Sequence, residues 1–148
     1  MGAMTDSQPD SPPDVAPSPT GEACIPTIRR VMRPQDTNMM GFIFGGAILS
    51  EIDLAAAIEA QKHHPGHLVT VAMDKIVFKK PIFVGDLISI YTETLRKGTS
   101  SVDVKVWVWA QRRGRRDDVV PVTEAHVTMV AVDDEFRSVP LGSTGPAT

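Results

Sequence analysis

GGAILSEIDLAAAIEAQK, residues 45–62, is the stretch on which the fold turns. Strong helix formers fill it, proline is absent, and breakers stand only at its ends, so it reads as one helix from Gly45 to about Lys62. His63, His64 and Pro65-Gly66 stop it. The apolar residues are not confined to one stripe, so other parts of the protein must cover this helix on most sides. Downstream the pattern changes to strand: His67–Phe78, Asp86–Arg96, Ser100–Gln111 and Val119–Val132 alternate or run in β-branched and aromatic residues. The separators are Pro81–Gly85, Lys97–Thr99 and the arginine-rich RRGRRDD. Upstream, Ile25–Met32 suits an opening strand, and RPQDTNMMGF leads from it into the helix. The order β, α, β, β, β, β gives an α+β class. Three consecutive antiparallel hairpins on a nearly all-apolar helix imply a five-stranded antiparallel sheet curled round one central helix. Such a sheet keeps an open edge, so a homodimer formed by edge pairing or helix packing is expected.

A chain of 148 residues with a 42% hydrophobic share is of a size for one core. The folded domain is expected over residues 25–141, between a Pro-, Ser- and Asp-rich tail (1–24) and a second tail, GSTGPAT (142–148), both expected to be disordered. A formal charge of -3 argues against coating nucleic acid or an anionic membrane. No apolar run approaches the roughly 20 residues of a membrane span. Cys24 stands alone, which rules out an internal disulfide and fits a reducing cytoplasm. His63, His64 and His67 are separated by Pro65-Gly66 and lack a carboxylate at ligand spacing, so they read as a helix end rather than a metal site.

Seven spaced features in one order carry a resemblance: Asp36-Thr37-Asn38; Phe44-Gly45-Gly46; Val69-Thr70-Val71; Pro81 with Val84-Gly85-Asp86; Lys97-Gly98-Thr99-Ser100; Thr123-Glu124-Ala125; and Val130-Ala131-Val132-Asp133. Over about residues 26–141 the chain resembles the hotdog-fold acyl-CoA thioesterases of the YciA-like and cytosolic acyl-CoA hydrolase family. The resemblance implies hydrolysis of acyl-CoA to free acid and CoA, no metal or other cofactor, active sites at a dimer interface, and a trimer of dimers. One position departs from the family pattern. Where the family commonly carries an Asp or Asn at the reaction centre, this chain has Phe42, whose ring can neither accept a proton nor hold a water.

Thioester hydrolysis needs an activated water or a nucleophile, and donors for the oxyanion. Gly45 and Gly46 open the helix, where backbone N–H groups lack internal partners and the macrodipole is positive, so they are candidate oxyanion donors. Asp53 follows Gly46 by two helical turns and shares its face. Its helical neighbours Leu49, Ala56 and Ala57 disfavour a bare carboxylate unless a donor compensates, an environment that suits a general base. The Gly-Gly-to-acid spacing also resembles the hotdog thioesterases of the phenylacetate and hydroxybenzoate pathways, which implies that Asp53 takes over the role lost at Phe42. The alternative is an aspartate held by Ser, Thr or backbone donors at the dimer interface. Asn38 either positions water or the thioester, or closes an Asx turn in its own loop. Glu51 lies on a different face, where it either projects toward a partner helix or, the favoured reading, forms a salt bridge. Met39, Met40, Phe42 and Phe44 form a candidate acyl lining or simply pack in the core. Lys97, Gly98, Thr99, Ser100 and Ser101 are the CoA-binding segment that the resemblance implies. Arg112, Arg113, Arg115 and Arg116 read as a solvated hairpin tip balanced by Asp117 and Asp118, or as partners for the phosphates of CoA.

Overall fold

Helix α1 spans Gly45–Ala60 and runs on through one 3-10 turn, Gln61–His63, before His64 returns to extended backbone. Its small residues decide how it packs. Ala47, Ala55, Ala56 and Ala60, with Ile48 and Ile52, are buried and let the helix lie close against a sheet whose facing side chains are Ile88, Ile90, Val104, Val106, Val108, Val122, Ala125 and Val127. This structure, a computed structural model, describes residues 25–144. The expected tail at 1–24 and the end of the second tail, 145–148, lie outside the described residues. At Gly142 the backbone N–H donates to Nδ1 of the buried His64 at 3.2 Å.

The five strands are β1 (Ile28–Val31), β2 (His67–Phe78), β3 (Leu87–Lys97), β4 (Ser101–Gln111) and β5 (Val119–Val132). They form one antiparallel sheet in the order β1-β3-β4-β5-β2. The sheet curls round α1, which contacts β2, β3, β4 and β5. Two of the three expected hairpins form, β3–β4 and β4–β5; β2 does not pair with β3. Residues 79–86 are too many for a tight hairpin turn and include Pro81. They carry the chain across the sheet, so β2 closes on β5 from His67↔Val132 to Phe78↔Thr123, while β1 fills the edge beside β3.

Two open features adjoin each other, joined by the bond from Thr70 of β2 to Asp53 of α1. Strand β2 is an edge with two register shifts, exposed Val71, Val77 and Phe78, and Lys75 in the left-handed region at φ 50. The outward face of α1 is bare: Leu54 is 54% and Ile58 is 40% exposed. The near-complete cover expected for the helix is therefore only partly supplied by its own chain. Among the described residues no helix is long and apolar enough to cross a membrane.

Candidate active site

The loop before α1 is tied down by ion pairs and backbone bonds. Arg30 of β1 places Nη2 3.0 and 3.1 Å from the two carboxylate oxygens of Asp36 and Nη1 against Glu51 of α1. Asp36 also accepts from Arg33 N–H at 2.9 Å, and its carbonyl accepts from Phe44 N–H at 3.0 Å. Asp36 thus anchors the loop to the residue that begins the helix. Glu51 forms a salt bridge, with Arg30 of its own chain.

Asn38 closes the loop that follows. Its Oδ1 accepts from Met40 N–H at 2.9 Å and Phe42 N–H at 3.1 Å, and its own N–H donates to Phe42 O at 2.7 Å. This is the Asx-turn arrangement, which commits the side-chain oxygen to the backbone. Met39 and Met40 point into solvent. Phe42 tilts onto Phe83, ring centroids 5.5 Å apart. Phe44 lays its ring over Gly46, where a Cβ would come within 2.7 Å of Cε2.

No side chain caps the start of α1. Its first N–H groups are therefore left to solvent or a ligand, and Gly45 and Gly46 are exposed. Beside Gly45 opens a cavity of about 400 Å³ lined by Ile43, Gly45, Ile48, Phe78, Lys79, Lys80, Pro81 and Ile82. None of Met39, Met40, Phe42 or Phe44 lines it. Sequence reasoning missed this wall because Phe78 and Ile82 reach Gly45 only through the β2-to-β3 crossover.

Asp53 lies half-buried on the open side of α1. Thr70 Oγ1, on the edge strand β2, donates to its Oδ1 at 2.5 Å. Thr70 is the compensating donor that the apolar neighbours demanded, and it leaves Oδ2 without a protein donor among the described residues. A carboxylate oriented through one oxygen and free at the other can accept a proton from water.

The Lys97–Ser101 segment forms the β3–β4 turn, closed by Gly98 N–H on Ser101 O at 2.8 Å. Lys97, Gly98 and Thr99, with Lys62, His63 and Leu141, line a second, polar cavity of about 440 Å³. This cavity sits at the C-terminal end of α1, about 24 Å along the helix axis from Gly45. The structure thus separates the oxyanion candidates from the CoA-binding candidates within one chain. Next to the polar cavity is a carboxylate that sequence reasoning passed over. Glu59 is buried and accepts from Lys62 Nζ at 2.8 Å, Thr92 Oγ1 at 2.9 Å and Thr94 Oγ1 at 2.8 Å. Burial pushes its carboxyl upward, but the bonds from Lys62, Thr94 and Thr92 and the lysine charge outweigh that and hold it below the usual range. The i,i+3 spacing to Lys62 was the available signal.

The arginine tip divides. Arg115 and Arg113 are exposed, as a solvated hairpin requires, whereas Arg112 folds back onto Asp86. Among the described residues no three His, Cys, Asp or Glu side chains gather in a way that could hold a metal.

Residues 40–116 match the model of the thioesterase superfamily. An acyl-CoA thioester hydrolase of Haemophilus influenzae is 42% identical over 75% of this chain and 73% of its own length. The acyl-CoA thioester hydrolase YciA of Escherichia coli K12 is 37% identical over 74% of this chain and 85% of its own. Among solved structures, Cj0915, a hexameric hotdog-fold thioesterase of Campylobacter jejuni, superposes with a TM-score of 0.75 at 44% identity, covering 79% of this chain and 90% of that one. The curled sheet, the Gly-Gly helix start and these relatives agree: the chain belongs to the thioesterase superfamily, among the hotdog-fold acyl-CoA thioester hydrolases.

Proposed function

We propose that the protein hydrolyses the thioester of acyl-CoA to free carboxylic acid and CoA. The observation that carries this reading is the uncapped Gly45-Gly46 helix start, opening beside an apolar cavity large enough for an acyl group. The thioester carbonyl oxygen accepts from the Gly45 and Gly46 N–H groups. Water, deprotonated by an aspartate, adds to the carbonyl carbon, and the tetrahedral intermediate collapses with loss of CoA thiolate, which takes up a proton. No metal or other cofactor is needed.

Asp53 and Gly46 lie about 10 Å apart along one helix, too far to act on one carbonyl through one water. Two copies paired through the β2 edge, with their α1 helices antiparallel, remove this mismatch: the general base for one protomer's glycines is Asp53 of the partner subunit. The same pairing brings the polar cavity of one copy toward the glycine pair of the other, so that Lys97–Ser101 can run along CoA. The bare Leu54, Ile58, Val71 and Val77 support a homodimer of this kind, and the hexameric relative supports a trimer of dimers. The lone Cys24 supports a reducing, cytoplasmic setting.

The test is release of free CoA thiol from short, long and aromatic acyl-CoAs by wild type, Asp53→Asn and Phe42→Asp. Wild type should turn over, and Asp53→Asn should lose on the order of 100-fold or more, the usual worth of a positioned base. A wild type silent on every acyl-CoA, with turnover appearing only in Phe42→Asp, would replace this reading with that of an acyl-CoA-binding protein. Turnover indifferent to Asp53 would remove the aspartate from the mechanism and leave the hydrolase.

A further inference from the structure

We infer that Arg112 is a positioning residue for the acyl cavity: it acts from the β4–β5 hairpin, through Asp86 and Phe83, on the wall that faces Gly45. The inference rests on the reading of that cavity as an acyl-CoA site. Arg112 belongs by sequence to an exposed arginine tip, yet its side chain is only 17% exposed against 75% for Arg115. What draws it in is the side chain of Asp86, 3% exposed and costly to bury unpaired. Arg112 Nη1 lies 2.5 Å from Asp86 Oδ2 and donates also to Pro81 O at 3.0 Å. The same Asp86 oxygen accepts from Phe83 N–H at 2.9 Å, and the guanidinium carbon stands 5.1 Å from the centroid of the Phe83 ring. One planar cation therefore clamps both ends of the segment 81–86 and stacks on its middle.

That segment leads to the cavity wall by two routes. Pro81 and Ile82 are cavity wall, and Ile82 O accepts from Ile43 N–H at 2.9 Å, two residues before Gly45. Phe83 carries the ring on which Phe42 rests, and Phe42 directly precedes the wall residue Ile43. A lysine at 112 would keep the charge but has no planar guanidinium to set over the Phe83 ring while it serves both acceptors.

The experiment measures kcat and KM separately, along a series of acyl-CoAs of rising chain length, for Arg112→Lys, Phe42→Leu, their combination and Phe83→Leu, with melting temperatures beside them. Arg112→Lys should lower kcat/KM for the longest substrates by about tenfold while sparing the shortest, since a wall moved by a fraction of an ångström misplaces what leans on it. Its effect should be non-additive with that of Phe42→Leu, the two being coupled through Phe83, and Phe83→Leu, which spares the ion pair, should reproduce the altered chain-length profile. A purely structural Arg112 would lower the melting temperature and leave the profile unchanged; that result, or strict additivity, overturns the inference. Dissociation constants for short and long alkyl-CoA thioethers, which cannot be hydrolysed, separate the two readings. If wild type hydrolyses nothing but binds thioethers with a length preference that Arg112→Lys shifts, the positioning role stands and the hydrolase falls. If wild type hydrolyses acyl-CoA and neither profile moves in Arg112→Lys, the hydrolase stands and the positioning role falls. If wild type neither binds nor hydrolyses, both fall.

Discussion

Gly45 and Gly46 look alike in the sequence and differ in what surrounds them. A Cβ on Gly46 would meet the Phe44 ring at 2.7 and 3.1 Å, whereas one on Gly45 would meet Phe78 at 3.4 Å, an ordinary contact. Gly46→Ala should therefore displace the Phe44 ring at little net cost, within about 1 kcal/mol, because alanine recovers helix propensity. The displaced ring would nevertheless crowd the approach of a thioester to the helix N–H groups. Thiol release should fall on the order of 100-fold, the scale of a lost oxyanion donor, with Gly45→Ala less affected in stopped assays of the same kind. A Gly46→Ala enzyme with full activity would remove that N–H from the site. Local chemistry of this sort was legible: Asn38 reaches backbone only four residues away, and its turn could be weighed from DTNMMG alone. The bond from Thr70 to Asp53 and the stack of Phe42, Phe83 and Arg112 could not be, because each joins segments that meet only after the sheet has curled.

Element boundaries followed from side-chain periodicity. β2 and β5 occupy the residues expected, and α1 begins at Gly45 as read, because breakers and β-branched runs act within a few residues. Pairing was less legible: adjacency in sequence suggested a β2–β3 hairpin, but the residue span 79–86 is a crossover. The end of α1 shows what periodicity leaves out. Glu59 places a carboxylate at the negative end of a helix dipole, which is unfavourable by itself, and three donors offset it. Against the upward push of burial, the bonds from Lys62, Thr94 and Thr92 hold its carboxyl below the usual carboxylate range, so its contribution to stability is complete above that range and is lost as pH falls through the lower folded-state value. Melting curves of wild type and Glu59→Gln should differ most near neutral pH and converge as the solution is acidified through and below the carboxylate range. A difference that widens on acidification would contradict this assignment of the charge.

At the scale of the whole molecule, the glycine pair and the polar cavity stand at opposite ends of one helix, and the β2 edge and the Leu54–Ile58 face are open together. If the site is shared between two copies, inactive Asp53→Asn protomers and inactive Gly46→Ala protomers should complement each other. After unfolding and co-refolding in equal amounts, half of the dimers are mixed and each contains one intact site, so activity should return to roughly a quarter of wild type. No recovery would put both residues of a site in the same chain. The sequence foretold an open edge by counting strands against one helix, but not the side on which helix and edge are bare together, which depends on where the crossover lands. The outward face of β4 has a different consequence. Both tryptophans of the chain, Trp107 and Trp109, lie there, turned away from the core formed by Val106 and Val108, and Trp107 is only 2% exposed. Helix α1 contains no aromatic residue at all. Indole fluorescence therefore watches the middle of the sheet and is blind to the helix, whereas far-ultraviolet circular dichroism sees both. Followed together during refolding, the two signals would report separately when the sheet closes and when the helix is wound, with no label added to the protein.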